Sequence, residues 1–251
     1  MNLSLYSSYC KWGREEPIAE EGVMVASDLS LEWLLPLWWE TYRATNSFPV
    51  AFVDLGLSDS MKRWCKERGI YIRLKVADVF VAEKNEVDPQ LIDEWEEAHG
   101  KQFWECRNGW FKKPMACLLT PFKKTVWLDL DCEVRGPLHE LFKFCDHPSG
   151  IAIAEEQNSP FGGVNSGVIA FKKGIALLET WAEKSIEQNQ LYFGDQDVLV
   201  ALIEDFFLLP SIYNWSRCKE ENPNAVILHW HGMHGKTILR HRIAKEQSGI
   251  L

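Results

Sequence analysis

Short apolar runs alternate with stretches of helical periodicity over nearly the whole chain, and this alternation most constrains what it can fold into. Residues 23–26, 49–54, 70–76, 125–130, 150–154, 168–171, 207–209 and 226–230 read as strands. Residues 30–44, 58–69, 85–100, 110–120, 176–189 and 195–205 read as helices, with Ser30 and Ser58 as caps and Gly69 as a terminator. Strand and helix in turn predict an α/β layer architecture: a mainly parallel central sheet flanked by helices. A 46% hydrophobic and 25% charged composition supplies a core and excludes a disordered or coiled-coil chain. With no internal repeat, low-complexity tract or linker, a single domain over 1–251 is expected.

Several function classes fall away. No stretch approaches the roughly 18 consecutive apolar residues of a membrane span, since Glu32 and Pro36 interrupt the most hydrophobic helix-like segment. The N-terminus lacks the basic start and apolar block of a secretory leader. A cytoplasmic location is expected, with the mildly basic 240–245 stretch the one candidate for peripheral contact with a membrane or an anionic acceptor; a solvated terminal helix is its plainer reading. A net charge of −9 does not invite nucleic acid. Seven cysteines without a CxxC pair predict reduced thiols packed as small hydrophobes. Most of the 12 tryptophans are expected in the core or on a partner surface, with some able to stack on sugar rings.

Four segments carry chemistry. Residues 125–131 take an apolar strand into two carboxylates, Asp129 and Asp131. Side chains two apart on an extended chain point the same way, and ligands of open α/β sheets bind beyond the carboxyl ends of strands. Hard oxygens suit Mg²⁺ or Mn²⁺, which suit a diphosphate. An Asp-x-Asp can also be a plain acidic surface pair. Residues 161–171 form a glycine-rich approach to a buried strand, with Asn165 able to donate and accept; the alternative is a tight turn. Asp195 opens a helix in 194–197, where plain N-capping competes with function. Residues 226–236 bring His229, His231, His234 and Lys236 to a strand end, which favours a metal or phosphate role. Glu133, Glu155 and Glu156 read as solvated carboxylates.

In that order WLDLD, NSG, GDQD and an HxxG with a following lysine resemble the GT-A-fold retaining glycosyltransferases of family 8, whose members include glycogenin and bacterial lipopolysaccharide galactosyltransferases. The likeness spans about residues 23–236. It implies a Rossmann-like fold with a nucleotide-binding half over about 20–135 and a donor-sugar and acceptor half over about 136–240. It implies a donor that is a nucleotide-sugar, UDP-linked, a glycan, lipid or protein acceptor, and Mn²⁺ or Mg²⁺ held by Asp129, Asp131 and His229. By the same likeness Ala26 and Asp28 hold base and ribose, and Lys112 and Lys113 offer a basic contact to donor sugar or phosphate. Asn165 and Ser166 lie at the donor sugar, Asp195 and Gln196 beside its hydroxyls and anomeric carbon, and Lys236 pairs with the diphosphate. Two departures stand out: Lys236 comes one residue later than the family spacing, without the usual Pro-Trp, and Leu31 stands where relatives carry an aromatic residue.

Three rivals share fragments of this pattern. Haloacid dehalogenase-type phosphatases place Asp-x-Asp after an apolar strand, but on their first strand, and with Thr or Val where Glu133 stands. The histidine spacing equals that of metallo-β-lactamase-type hydrolases, but Met233 replaces their partner aspartate. A GT-A-like domain that binds nucleotide-sugar or glycan without turnover is the third.

Overall fold

A computed structural model describes residues 16–76, 80–157 and 163–248. Seven strands form the main sheet. In chain order they are β1 (Ala19–Ser27), β2 (Val50–Asp54), β3 (Ile70–Arg73), β4 (Phe122–Leu128), β6 (Ile151–Glu155), β7 (Val164–Lys172) and β8 (Phe207–Leu209). Their spatial order is β3-β2-β1-β4-β7-β6-β8. β7 runs antiparallel to both of its neighbours, and every other pair is parallel. A second sheet, β5 (Cys132–Val134), β10 (Ile227–His229) and β9 (Trp215–Ser216), stands beside it. Residues 226–230, read as a strand, supply Ile227–His229 to this smaller sheet.

The strand runs are continuously apolar because both faces of the sheet are buried. Val23, Val25, Phe52, Val126 and Leu128 share one core with Trp38 and Tyr42 of α1 (Leu35–Thr45) and Leu141 and Phe142 of α5 (His139–Phe144). Met24, Val53 and Trp127 point the other way, against Phe111 and Met115 of α4 (Phe103–Leu118) and Leu178 and Trp181 of α6 (Ala176–Glu187). α2 (Asp59–Arg68) and α3 (Pro89–His99) are the remaining helices of the first half, and α7 (Asp195–Leu202) and α8 (Gly232–Ser248) those of the second.

Local signals were partly misread. Ser58 does cap α2, through the Met61 amide. Ser30 is not a cap: Asp28 Oδ1 accepts from the Ser30 and Leu31 amides, a 3₁₀ turn over Glu32–Leu34 follows, and α1 starts with Pro36 in its first turn. α4 begins seven residues before the expected 110 and carries Pro114 inside it. No helix among the described residues is long and apolar enough to cross a membrane. The described cysteines are all free thiols, with Cys65, Cys117, Cys132 and Cys145 buried.

Candidate active site

β4 ends at Leu128, and the Cys132 amide donates to the Asp129 carbonyl at 3.0 Å, closing a turn over Asp129–Cys132. The two aspartates are therefore aimed by a turn at the strand's carboxyl end, not by strand alternation. Asp129 Oδ1 accepts from Trp127 Nε1 at 2.8 Å and lies 3.0 Å from Lys113 Nζ. Asp131 is nearly enclosed, with His229 Nε2 at 3.2 Å from Oδ1 and Lys236 Nζ at 2.5 Å from Oδ2. Burial alone would raise the Asp131 carboxyl, but Lys236 and His229 hold it well below the usual carboxylate range.

Pairing between β10 and β5 sets His229 directly opposite Cys132, one residue past Asp131. The register makes room for the ring at Gly167, where a Cβ would overlap His229 Cε1. Lys236 reaches the same carboxylate from the first turns of α8, so the extra residue before it does not carry it away. The three histidines do not all converge: the His231 ring lies edge to face with His229 at 5.5 Å, and His234 stands apart. His231 turns to Ser216 Oγ at 2.8 Å, its imidazole pulled down to about 4 by burial and by His229, and His234 is exposed.

Lys113 joins the acidic turn to the segments further along the chain. Buried on α4, it bonds Asp129, the Ser166 carbonyl and Ser166 Oγ at 3.0–3.2 Å, and lies 3.5 Å from Asp195. Burial works against its charge, yet Asp129 and Asp195 more than reverse this and leave it above the ordinary lysine range. Lys112, one residue earlier and so about 100° round the helix, is half-exposed and not among the groups that meet here. Asp195 is buried at the start of α7, its carboxylate accepting from Ser166 Oγ at 3.0 Å; burial pushes it up to about 6, with Lys113 pulling the other way. Gln196 Oε1 accepts from the Ser166 amide at 3.0 Å.

Asn165 precedes these on β7, its Nδ2 donating to Glu156 Oε2 at 2.8 Å. Ala26 and Asp28 lie at the end of β1. Asp28 Oδ1 is used in the local turn, and Oδ2 faces Gly109 of α4. A small polar recess lined by Glu156, Gln157, Asn165, Asn214, Ser216 and His229 opens on the other side of the histidine.

Two of the three glutamates read as solvated are not. Glu133 accepts from Trp230 Nε1 at 2.8 Å and pairs with Arg135 and Arg242, and Glu156 bonds Asn165; Glu155 is exposed as expected. Sequence reading also missed Asn214, which meets His229 at 3.0 Å, and the positioning tryptophans Trp127 and Trp181, whose Nε1 groups bond Asp129 and the Asp195 carbonyl. A single asparagine before a short strand carries no motif, and an indole's hydrogen bond is not visible in hydropathy.

Asp131 and His229 present a carboxylate oxygen and an imidazole nitrogen beside each other, a pair that suits a divalent ion, whereas Asp129, at the start of the same turn, is turned to Lys113 and Trp127 and does not join that group. Cys132 Sγ lies within 4.8 Å of both ligand atoms but packs as a buried thiol against the Gly167 carbonyl.

No family model and no curated protein sequence matches the chain. Solved structures do. The galactosyltransferase LgtC, bound to donor and acceptor sugar analogues, is 14% identical at a TM-score of 0.54, over 87% of this chain and 94% of that one. Mouse xyloside xylosyltransferase 1, apo form, is 16% identical at 0.56, over 87% and 99%. The glycosyltransferase GlyE of Streptococcus pneumoniae TIGR4 is 19% identical at 0.56, over 85% of this chain and 55% of its own length. The chain thus has the GT-A fold, and its Asp-x-Asp follows the fourth strand, not the first.

Proposed function

We propose that this chain is a metal-dependent hexosyltransferase that moves sugar from a nucleotide-sugar, UDP-linked, to a glycan, lipid or protein hydroxyl with retention at the anomeric carbon. The observation that carries this reading is the approach of His229 to Asp131, 3.2 Å across 98 residues of sequence, at the end of a central strand of a GT-A sheet.

Breaking a glycosyl–phosphate bond builds negative charge on the diphosphate and positive charge on the sugar. A bound Mn²⁺ or Mg²⁺ supplies Lewis-acid neutralisation of the diphosphate. Asp129, Asp131 and His229 would hold it, and Lys236 reaches the same place with its own charge. Ala26 and Asp28 border the position of base and ribose. Asn165 and Ser166 face the sugar, and the buried Lys113 keeps Asp129 and Asp195 apart in charge while lending its own field to donor binding. Asp195, once ionised, faces the developing positive charge on the sugar ring. Gln196 offers only an amide, a poor nucleophile, which favours attack on the face that the diphosphate leaves.

The test is turnover of a panel of nucleotide-sugars with and without Mn²⁺. Hydrolysis or transfer is expected only with the metal, and Asp131→Asn should abolish it. Turnover that survives chelation, or survives that substitution undiminished, overturns the reading. Phosphomonoester hydrolysis without nucleotide-sugar turnover would assign a phosphatase. Nucleotide-sugar bound with no turnover would assign a binding module.

A further inference from the structure

His229 is gripped from both sides. Nε2 lies 3.2 Å from Asp131 Oδ1, and Nδ1 lies 3.0 Å from Asn214 Oδ1. Which atom of the Asn214 amide meets the ring is set by a chain of hydrogen bonds that is consistent in one direction. The Gly167 backbone amide can only donate, and it lies 2.9 Å from Asn165 Oδ1, which fixes that atom as oxygen. Asn165 Nδ2 then donates to the Glu156 carboxylate at 2.8 Å, an acceptor when ionised. The same Asn165 oxygen accepts from Asn214 Nδ2 at 3.0 Å. Asn214 is left with its oxygen toward the imidazole, so Nδ1 carries a proton, and Nε2, which in this structure meets the Asp131 carboxylate, is the nitrogen whose lone pair a cation would take up in place of a proton.

We propose that Asn214 is a positioning residue for the metal centre: through its carbonyl oxygen it holds His229 with Nδ1 protonated and Nε2 directed at the cation position beside Asp131. This rests on the metal-dependent reading above and deepens it. A ligating histidine needs its other ring nitrogen bonded to an acceptor, which fixes both tautomer and ring orientation. A buried amide meets that need without adding a charge beside Asp131, and Asn214 is 4% exposed. Its place in the chain suits the task, because it immediately precedes β9, the strand that pairs with β10 and so moves with His229.

The test is Mn²⁺ binding by the full-length chain in the presence of UDP, read from the electron spin resonance of free Mn²⁺. Asn214→Leu keeps the branching and heavy-atom count but offers no oxygen, and is expected to weaken binding by about 10- to 100-fold. Asn214→Asp loses the bond to Asn165 yet restores an acceptor to Nδ1, and is expected to bind near the wild-type level. A merely structural role for Asn214 would not produce that rescue. Wild-type affinity in Asn214→Leu, or an Asp variant as weak as the Leu variant, overturns the proposal while leaving the metal reading in place. Failure of the unaltered chain to bind Mn²⁺ with UDP overturns the metal reading itself and takes this inference with it.

Discussion

Lys236 Nζ sits 2.5 Å from Asp131 Oδ2, although 105 positions separate the two residues in the chain. The ammonium thus takes up one oxygen of a carboxylate whose other oxygen faces His229. Burial would lower the lysine, but Asp131 keeps it above its ordinary range and charged. On the proposed reading a divalent ion arriving at Asp131 would meet a resident positive charge, and that charge would gain a new partner only with a diphosphate that enters with the ion.

Lys236→Met therefore has effects of opposite sign. Without nucleotide, Mn²⁺ should bind more tightly, because a like charge a few ångströms from its site is gone. With donor, kcat/KM should fall by about 100- to 1,000-fold if Lys236 is one of the groups that stabilise the leaving diphosphate. Mn²⁺ titration and initial rates check both. Unchanged metal affinity would show that the lysine does not share the cation's place.

Asp195 supplies a pH dependence. Its carboxyl titrates near 6 in the fold, against about 3.9 in an unfolded chain. If the ionised form serves the reaction, kcat/KM should rise as pH passes through about 6, and Asp195→Asn should give a low profile without that limb. The sign for stability is opposite. Between the two values the folded chain keeps a proton that the unfolded chain has lost, so this contribution is present at low pH and is lost as pH rises through 6. Asp195→Asn is then expected to raise the melting temperature at pH 8 relative to wild type, and not at pH 4.

What could be read beforehand was what depends on order along the chain. Strands buried on both faces show as unbroken apolar runs, and Asp129 and Asp131 stood out just beyond one; Asp195 stood out at a helix start and Lys236 after a run of histidines. What could not be read depends on partners from remote segments. Glu133 looks solvated until Trp230 and Arg242 arrive some hundred positions later. Lys112 and Lys113 are adjacent in sequence, and only the packing of α4 against the sheet decides which one turns inward. Pro36 looks like a break but lies in the first turn of α1, where its missing N–H costs nothing.

Arg107 is another residue of this hidden kind, and its loss should be felt as stability. On α4 it is almost fully buried, donating to the carbonyls of Asn189, Tyr192 and Phe193 at 2.8–3.2 Å and lying over the rings of Trp95, Trp104 and Phe111. Those carbonyls belong to the segment that leads into Asp195. Arg107→Met leaves the Tyr192 and Phe193 carbonyls without this donor, at about 1–3 kcal/mol for each one that water cannot reach, while the Asn189 carbonyl keeps the Tyr192 amide. Urea unfolding should show a loss of at least about 2 kcal/mol. A loss below about 0.5 kcal/mol would mean that water takes over both carbonyls.

Gly167 tests whether the imidazole's seat is set by space. Its backbone is not among the positive-φ glycines, so the residue is not needed for an unusual dihedral. A Cβ there would overlap His229 Cε1 and come within 2.8 Å of Asn165 Oδ1. Gly167→Ala should therefore displace the ring from Asp131, at a packing cost of about 1–3 kcal/mol, and weaken Mn²⁺ binding in the presence of UDP. Adding His229→Ala removes the closest atoms that the new methyl strikes and leaves the contact with Asn165 Oδ1. The double variant should recover part of the stability lost by Gly167→Ala while still failing to bind the metal. Mn²⁺ affinity and melting temperature, measured on the wild type, both single variants and the double variant, separate the two effects. Wild-type Mn²⁺ affinity in Gly167→Ala would mean that the ring has room to move without losing the ion, and that the glycine does not set its position.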